Sequence, residues 1–250
     1  MTHYRAIALV AILALAAPPR HVYRFTVEYF TFDTKGTFLQ KQRIAGQYSA
    51  GEPGDDVRWT RVTLASGTSL AGPYSAGEPQ AYMEGFSYSP ARERLFAPDF
   101  FKGFPATAMQ AKNLVWDTFM LETFAQELPR VKAASPYHMP SWAVPLAGAG
   151  VFKNTDVQLT WLGLVERNKQ ECALVHYEAF FNTIAFETPG VKLTGRSDYW
   201  GDIWVALATG EIEYATLAEE VTGELRLASQ PAPQTVNIVR KGTFERIPNS

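Results

Sequence analysis

Five residues in the last quarter of the chain alternate charged side chains with indole rings. They occupy every second position, so a β-strand would place all five on one face. Indole rings can stack on a sugar or an aromatic group while aspartate and arginine hydrogen-bond to it, which makes this face a candidate ligand-binding surface. The alternative is structural, with the rings covered by a second layer and the charges paired among themselves. We call these residues the Arg–Trp stripe: Arg196, Asp198, Trp200, Asp202 and Trp204.

A second pair of candidate residues lies upstream of the stripe. His176 and Glu178 are neighbours on one face of a strand predicted over residues 171–181. Such a pair can act as acid and base, although on an exposed strand face it is usually only solvated or hydrogen-bonded. If the chain acts on carbohydrate, Asp198 or Asp202 would be the acid or base, because glycosidases need two carboxylates placed in space.

The residues between the stripe positions predict the side of this strand that faces the core. After them, residues 208–211 predict a turn in which Gly210 is free to adopt a positive φ, so the whole region predicts a β-hairpin. Beyond the hairpin we expect a separate short strand at residues 221–227 and a last strand at residues 235–247, interrupted at Gly242. The predicted core-facing positions are Ser197, Tyr199, Gly201, Ile203, Val205 and Leu207.

Two other elements are well marked in the sequence. Residues 22–32 begin with a clean alternation, which predicts a half-buried strand with Tyr23, Phe25, Val27 and Tyr29 on one face. Residues 108–128 form the best predicted helix, and a proline directly after them ends it. Because the helix carries apolar side chains on more than one face, we expect both of its faces to be covered.

These elements predict a mainly β (β-rich α+β) fold. We expect one domain over residues 21–250, built as a large curved antiparallel sheet or half-open barrel with the helix packed on it. An irregular, aromatic-rich insertion is predicted at about 66–107, and an antiparallel meander at about 156–248. This order of strands resembles the half-open barrels of bacterial extracytoplasmic lipid and lipoprotein carriers, as a resemblance of architecture that no sequence motif carries.

The hexamer YSAGEP occurs twice, at residues 48–53 and 74–79. The residues that flank the two copies do not match, and no longer period sustains a repeat architecture. We interpret the copies as two similar loops that contain glycine and proline.

Composition excludes several classes of function. The net charge is −2 and no run of basic residues occurs, so we expect no nucleic-acid partner. The single cysteine allows no intramolecular disulfide, and no histidines, cysteines and carboxylates stand at metal-ligand spacing. The phosphate-binding, dinucleotide-binding, nucleophile-elbow and zinc-protease motifs do not occur. We therefore expect no metal and no cofactor, and we favour a protein that is not an enzyme.

The first 17 residues have the pattern of a secretory signal peptide. A short basic start precedes twelve apolar residues at positions 6–17, and small residues close the segment. The apolar run is shorter than the roughly 20 residues that cross a bilayer, so we expect no transmembrane span after cleavage. The alternatives are an uncleaved anchor or a buried helix. We expect a secreted or periplasmic protein.

Three functions are compatible with these features. The leading hypothesis is a non-enzymatic binding or structural module that holds an apolar or amphipathic, lipid-like ligand between sheet and helix. One alternative is a carbohydrate-binding or carbohydrate-active protein that uses the strand face of residues 196–204. Another alternative is a subunit of a larger envelope assembly with a protein partner.

Export predicts a shortened chain. Expression in an exporting bacterial host should give a mature protein that begins near Pro18, because Ala-Leu-Ala at positions 14–16 forms the cleavage motif. Intact-protein mass spectrometry of the purified protein measures this directly. A full-length mass in the exported fraction would instead indicate a retained anchor.

Overall fold

The computed structural model describes residues 21–52, 56–228 and 232–248, so the predicted signal peptide at residues 1–17 lies outside them. Strands make up 61% of the described residues and helical elements 13%, which confirms the mainly β class. The described strands are β1 (His21–Asp33), β2 (Phe38–Glu52), β3 (Asp56–Gly67), β4 (Glu78–Pro79), β5 (Ser87–Tyr88), β6 (Tyr137–Met139), β7 (Trp142–Pro145), β8 (Gly150–Asn154), β9 (Asp156–Arg167), β10 (Gln170–Thr188), β11 (Val191–Ala206), β12 (Ile212–Leu227) and β13 (Gln234–Ile247). The described α-helices are α1 (Arg92–Leu95) and α2 (Met109–Gln126).

The described strands form one open antiparallel sheet. Strands β9 to β13 follow one another as the predicted meander, and β13 then pairs with β1, which leads through β2 to β3. At one edge, β8 and β9 lie along successive parts of the long β10, and β7 and β6 pair with them. At the other edge, the short β4 and β5 pair with β3. The first described strand is therefore interior to the sheet.

The alternation along β1 defines an inner face, which we take as the face that α2 covers. Tyr23, Phe25, Val27 and Tyr29 are buried there, as predicted. From the neighbouring β13, the ring of Phe244 stacks on Tyr23 with centroids 4.5 Å apart and meets Phe25 edge-on at 5.3 Å. These rings form the centre of the aromatic core.

The predicted hairpin is formed by β11 and β12. Gly210 adopts a φ of 75° in the connecting turn, as the sequence predicts. The prediction that Leu207 faces the core is wrong. It is 44% exposed, because β11 ends at Ala206 and the chain turns there. The other predicted core-facing residues of β11 are buried: Ser197, Tyr199, Gly201, Ile203 and Val205.

Two predicted strand boundaries are wrong. Residues 221–227 are not a separate strand but the second half of β12, which pairs continuously with β13 from Tyr214 to Leu225. Gly242 does not interrupt the last strand, since it lies inside β13 opposite Val27. Glycine weakens a strand, but pairing on both sides holds these residues in the ladder.

The predicted helix at residues 108–128 is α2, and it lies across the inner face. Near its end, the ring of Phe124 lies 5.0 Å from the ring of Tyr177 in β10. On its other side, Tyr48 of β2 donates a hydrogen bond of 2.7 Å to Glu122. The helix therefore bridges strands from both halves of the sheet.

The segment at residues 66–107 is largely irregular but packed, as predicted. Its backbone covers the edge of β3: the N–H of Gly85 bonds to the carbonyl of Trp59 at 2.9 Å, and that of Gln80 to Val62 at 2.8 Å. Its aromatic rings pack mainly on one another, in a cluster made of Tyr82, Phe86, Tyr88, Phe100, Phe101 and Phe104.

The two copies of the hexamer YSAGEP fold differently. Residues 48–52 lie in β2, where Tyr48 is buried, and residue 53 lies outside the described part of the chain. The second copy, at residues 74–79, runs as an irregular segment into β4. The interpretation as two similar loops is therefore wrong for the first copy.

Part of β9 has an edge without a partner strand in the described residues. Strand β6 pairs with β9 only from Val157 to Leu159, so residues 160–167 are paired only with β10. Leu162 and Leu164 in this stretch are 55% and 53% exposed. An unpaired apolar edge of this kind is a place where another strand can add.

The aromatic core gives a direct test of the fold. Replacing Phe244 by alanine should lower the free energy of unfolding by about 3–5 kcal/mol, because it leaves a cavity beside the rings of Tyr23, Phe25 and Tyr48. The matched control is Phe181→Ala at an exposed site, which should change it by about 0.5 kcal/mol or less. Urea unfolding of both variants measures this, and equal effects would contradict the packing described here.

Candidate ligand-binding site

A groove of about 280 Å³ runs along one side of α2 over the inner face of the sheet. This volume is close to the lower end of the roughly 300–1,000 Å³ that small-molecule sites span. Helix α2 forms one wall, and strands from β2 across to β10, together with β7 and β8, form the rest.

The larger part of the groove is apolar and incompletely covered. Phe119 and Met120 project from α2 along this part, and both are only half-buried. Burying such surface under a ligand is favourable by roughly 25 cal/mol per Å². The half-buried apolar residues that face them from the sheet are Phe152, Ile184, Leu193, Leu225 and Ile238.

The end of the groove at β1 and β2 is lined by uncharged polar side chains, and Arg240 lies beside it on β13, directly opposite Tyr29. The side chain of Gln110 on α2 donates a hydrogen bond of 2.7 Å to the side-chain oxygen of Gln42. One turn later, Asn113 donates to the hydroxyl of Tyr29 at 3.3 Å. Since an amide has two donor hydrogens and an oxygen acceptor, these groups keep capacity for a ligand. Thr31 and Gln40 also line this end.

A buried ion cluster lies in the wall of the groove. The guanidinium of Arg240, on β13, donates to the carboxylates of Asp117 on α2 and Glu219 on β12. It also contacts the hydroxyl of Tyr29 at 3.4 Å, and Glu219 accepts a bond of 2.6 Å from Ser197. Because Arg240 bridges helix and sheet, this cluster fixes the position of α2.

Burial changes the proton affinity of the acids in α2. It raises the pKa of Asp117 to about 6, although the charge of Arg240 acts in the opposite direction. It also raises the pKa of Glu122 to about 7, because the only described group that stabilises its charge is the hydroxyl of Tyr48. With all three side chains ionised, the ion cluster carries one net negative charge.

Two buried donors beside the groove lack a hydrogen-bond partner among the described residues. They are the indole N–H of Trp116, a residue that is 7% exposed, and the Nε–H of Arg240, also 7% exposed. Both residues line the groove. A buried donor without a partner costs about 1–3 kcal/mol, so an acceptor oxygen on a ligand would be favoured here.

The Arg–Trp stripe lies on the outer face of the sheet, away from the groove. Asp198 accepts a hydrogen bond of 2.5 Å from the backbone N–H of Phe181, and Arg196 lies over the ring of Phe181 at 4.9 Å. Trp204 meets Tyr214 edge-on at 5.1 Å. Arg196 is exposed and the other four residues are half-buried. The stripe is thus partly engaged with its neighbours and partly accessible.

The second candidate pair joins the stripe in one outer patch. His176 lies directly opposite Asp202 in the pairing of β10 with β11, and Glu178 lies opposite Trp200. The Nδ1 atom of His176 is 2.8 Å from Asp202, and its Nε2 atom is 3.9 Å from Glu178. A hollow of about 340 Å³, reached also by Lys241, adjoins the patch. It is open to solvent, so it shields a reaction from water poorly.

The ion cluster was not among the residues singled out from the sequence. The sequence nevertheless indicates these two residues. Arg240 shares one face of β13 with apolar residues, and Glu219 shares one face of β12 with Leu217 and Val221. A charged residue at a core-facing strand position is a local conflict that indicates a buried partner. The partner on α2, Asp117, had no comparable signal.

The described residues also bear on metal binding and on membrane insertion. They contain no group of three or more histidine, cysteine, aspartate or glutamate side chains placed to hold a metal ion. None of the helices they form has the length and apolarity needed to cross a membrane.

Comparison with known proteins identifies no family for this chain. No family model and no curated protein matches the sequence. A lipovitellin structure concerned with lipid–protein interactions aligns over 93% of this chain at a TM-score of 0.41 and 13% identity, and this chain spans 26% of the lipovitellin chain. A DUF1329 family protein from Desulfovibrio piger aligns at 0.16 and 6% identity, over 92% of this chain and 87% of its own.

An acetoacetate decarboxylase-like enzyme from Sphingomonas wittichii aligns at a TM-score of 0.17 and 11% identity, over 97% of this chain and 96% of its own. All three scores lie below 0.5. These likenesses therefore carry no argument about ligand or activity.

The buried acid Glu122 predicts a pH dependence of stability. Its folded pKa of about 7 exceeds the ordinary value of 4.5, so the folded state binds more protons between these values. Stability should therefore fall as pH rises from about 4.5 to 7. Glu122→Gln removes this loss and should stabilise the protein by about 1–2 kcal/mol at pH 8, but little near pH 4.5.

Urea unfolding at both pH values tests this prediction. The control is Glu166→Gln, which removes the same charge at an exposed position on β9. An identical dependence on pH in the wild type and in Glu122→Gln would show that Glu122 ionises freely in the folded protein.

Proposed function

We propose that this protein binds an apolar or amphipathic small molecule in the groove between α2 and the inner face of the sheet, and that it is not an enzyme. The observation that carries the proposal is the row of half-buried apolar side chains along a cleft of about 280 Å³. A filled core would leave no such row, because protein interiors pack to crystal-like density. The polar end gives an amphipathic ligand a place for its head.

The proposal includes export to the periplasm or the cell exterior. Its support is the sequence pattern of residues 1–17, which precede the described part of the chain. An exported carrier meets apolar molecules that are poorly soluble in water, and a covered groove would hold them in soluble form.

Carbohydrate binding on the outer face is a second candidate function. The specific observation in its favour is the half-buried ring of Trp200 at the rim of the hollow beside the His176–Asp202 pair. A sugar stacked on the indole could hydrogen-bond to this pair and to Lys241. An assembly subunit is a further alternative, and the unpaired edge of β9 favours it.

Filling the groove with a larger side chain should weaken ligand binding. The uncharged fluorescent probe N-phenylnaphthylamine should bind the wild-type protein, because it needs only apolar surface. Leu193→Trp and Ile184→Trp each add a large ring to the groove and should weaken binding at least about tenfold, a loss of about 1.4 kcal/mol. Fluorescence titration measures the affinity.

Two variants serve as controls for this titration. Leu164→Trp adds the same ring at an exposed apolar position outside the groove, and Trp200→Ala removes the central ring of the stripe. Both should bind the probe as the wild type does. Loss of binding in Trp200→Ala alone would place the apolar site on the outer face, and absence of binding by the wild type would contradict the proposal.

A further inference from the structure

Among the described residues, three charged side chains line the groove, and they are paired with one another. Among the described residues that line it, Arg240 is the cation, and Asp117 and Glu219 are the anions. Arg240 donates to both carboxylates, so its charge is already compensated. The groove therefore offers no free cation to a ligand, and its wall carries one net negative charge when all three groups are ionised.

The polar end of the groove offers hydrogen bonds of both kinds without charge. Gln42, Gln110 and Asn113 each use part of their hydrogen-bonding capacity on each other or on Tyr29. Each amide retains donor or acceptor capacity beyond these bonds. The amino-terminal end of α2 lies at the same place and carries about half a positive charge, which suits the oxygen of a hydroxyl or carbonyl group.

The buried donors point to the same chemistry. The indole N–H of Trp116 and the Nε–H of Arg240 have no partner among the described residues, and both residues line the groove. A ligand that contributes a hydroxyl, ester or amide oxygen could satisfy such donors. A purely hydrocarbon ligand would leave them unsatisfied.

The polar end of the groove lies far from the most distant apolar residue. Gln40 and Gln42 belong to β2, whereas Ile184 belongs to β10, five strand positions away in the sheet. At about 4.8 Å between neighbouring strands, this separation is roughly 24 Å. A ligand that reaches both parts must be elongated, with its polar group at one end.

We infer that the groove binds a single-chain amphiphile with an uncharged, hydrogen-bonding head group, and that it discriminates against the same chain with an anionic or a cationic head. This inference rests on the proposed function and specifies its ligand class. A carboxylate or phosphate entering the groove would lose hydration without gaining a counter-ion, and it would meet the negative ion cluster. A cationic head would find both carboxylates already occupied by Arg240.

Matched ligands with one chain length test the head group. Monolauroylglycerol, laurate and dodecyltrimethylammonium share a saturated twelve-carbon unit and differ in charge. Each should be titrated below its critical micelle concentration against the full chain loaded with N-phenylnaphthylamine, at neutral pH. Monolauroylglycerol should displace the probe with at least about tenfold higher affinity than either charged ligand.

Two variants connect the selectivity with named residues. Gln42→Leu should weaken the affinity for monolauroylglycerol about three- to tenfold, while the affinity for N-phenylnaphthylamine stays within about twofold of the wild-type value. Its control is Gln47→Leu, the same change on the outer face of the same strand, which should alter neither affinity. Asp117→Asn removes the net negative charge and should reduce the discrimination against laurate.

The outcomes separate the two proposals. If laurate or dodecyltrimethylammonium binds as tightly as monolauroylglycerol, the inference about the head group is overturned and the groove remains a binding site. The inference about the head group is also overturned, and the groove remains a binding site, if the probe binds but none of the three ligands displaces it. If the wild type binds neither probe nor ligands, the proposed function itself fails.

Discussion

A guanidinium buried between two carboxylates decides where the helix lies on the sheet. Arg240 of β13 contacts Asp117 of α2 and Glu219 of β12, and the desolvation of three charges offsets much of their attraction. Such a cluster adds little net stability, but losing one partner would cost about 3–5 kcal/mol. The helix is therefore held at one position and one rotation. The width of the groove depends on that position, because α2 is one of its walls.

Strand β11 has different surroundings on its two faces, and this limits the substitutions that its sequence can tolerate. Along β11, one set of alternating residues packs under α2 and the other set forms the Arg–Trp stripe. Gly201 on the inner side shows how tightly this is built, since a Cβ atom there would lie 2.1 Å from the carbonyl oxygen of Thr216. The missing side chain leaves room for Tyr177, whose hydroxyl donates to that oxygen at 2.7 Å.

Sequence periodicity was sufficient for the fold class and insufficient for the site. Alternation along residues 22–32 and through the stripe predicted the correct faces. The expectation that both faces of the helix are covered is wrong for the side of α2 with Phe119 and Met120, which line the groove and are only half-buried. These features are local, so one strand or helix carries its own signal. The groove is lined by α2 together with residues of β1, β2, β7, β8 and β10 to β13, so it depends on how elements distant along the chain pack together. The pairing of Arg240 with Asp117 joins residues more than 120 positions apart, and no local pattern specifies such a contact. The prediction that both copies of YSAGEP form similar loops is wrong for the first copy, because identical residues adopt the structure that their neighbours impose.

The place of β1 between β2 and β13 governs the order in which the protein can fold. One edge of residues 21–33 stays unpaired until residues 234–247 have been made, about 200 residues later. At ordinary rates of synthesis this interval lasts roughly 10–40 s. An apolar strand with a free edge is prone to aggregate during that time, and contacts so distant along the chain form slowly. A growing chain of this kind has to be kept unfolded until its last strand is available, and only then can the sheet close around its first one.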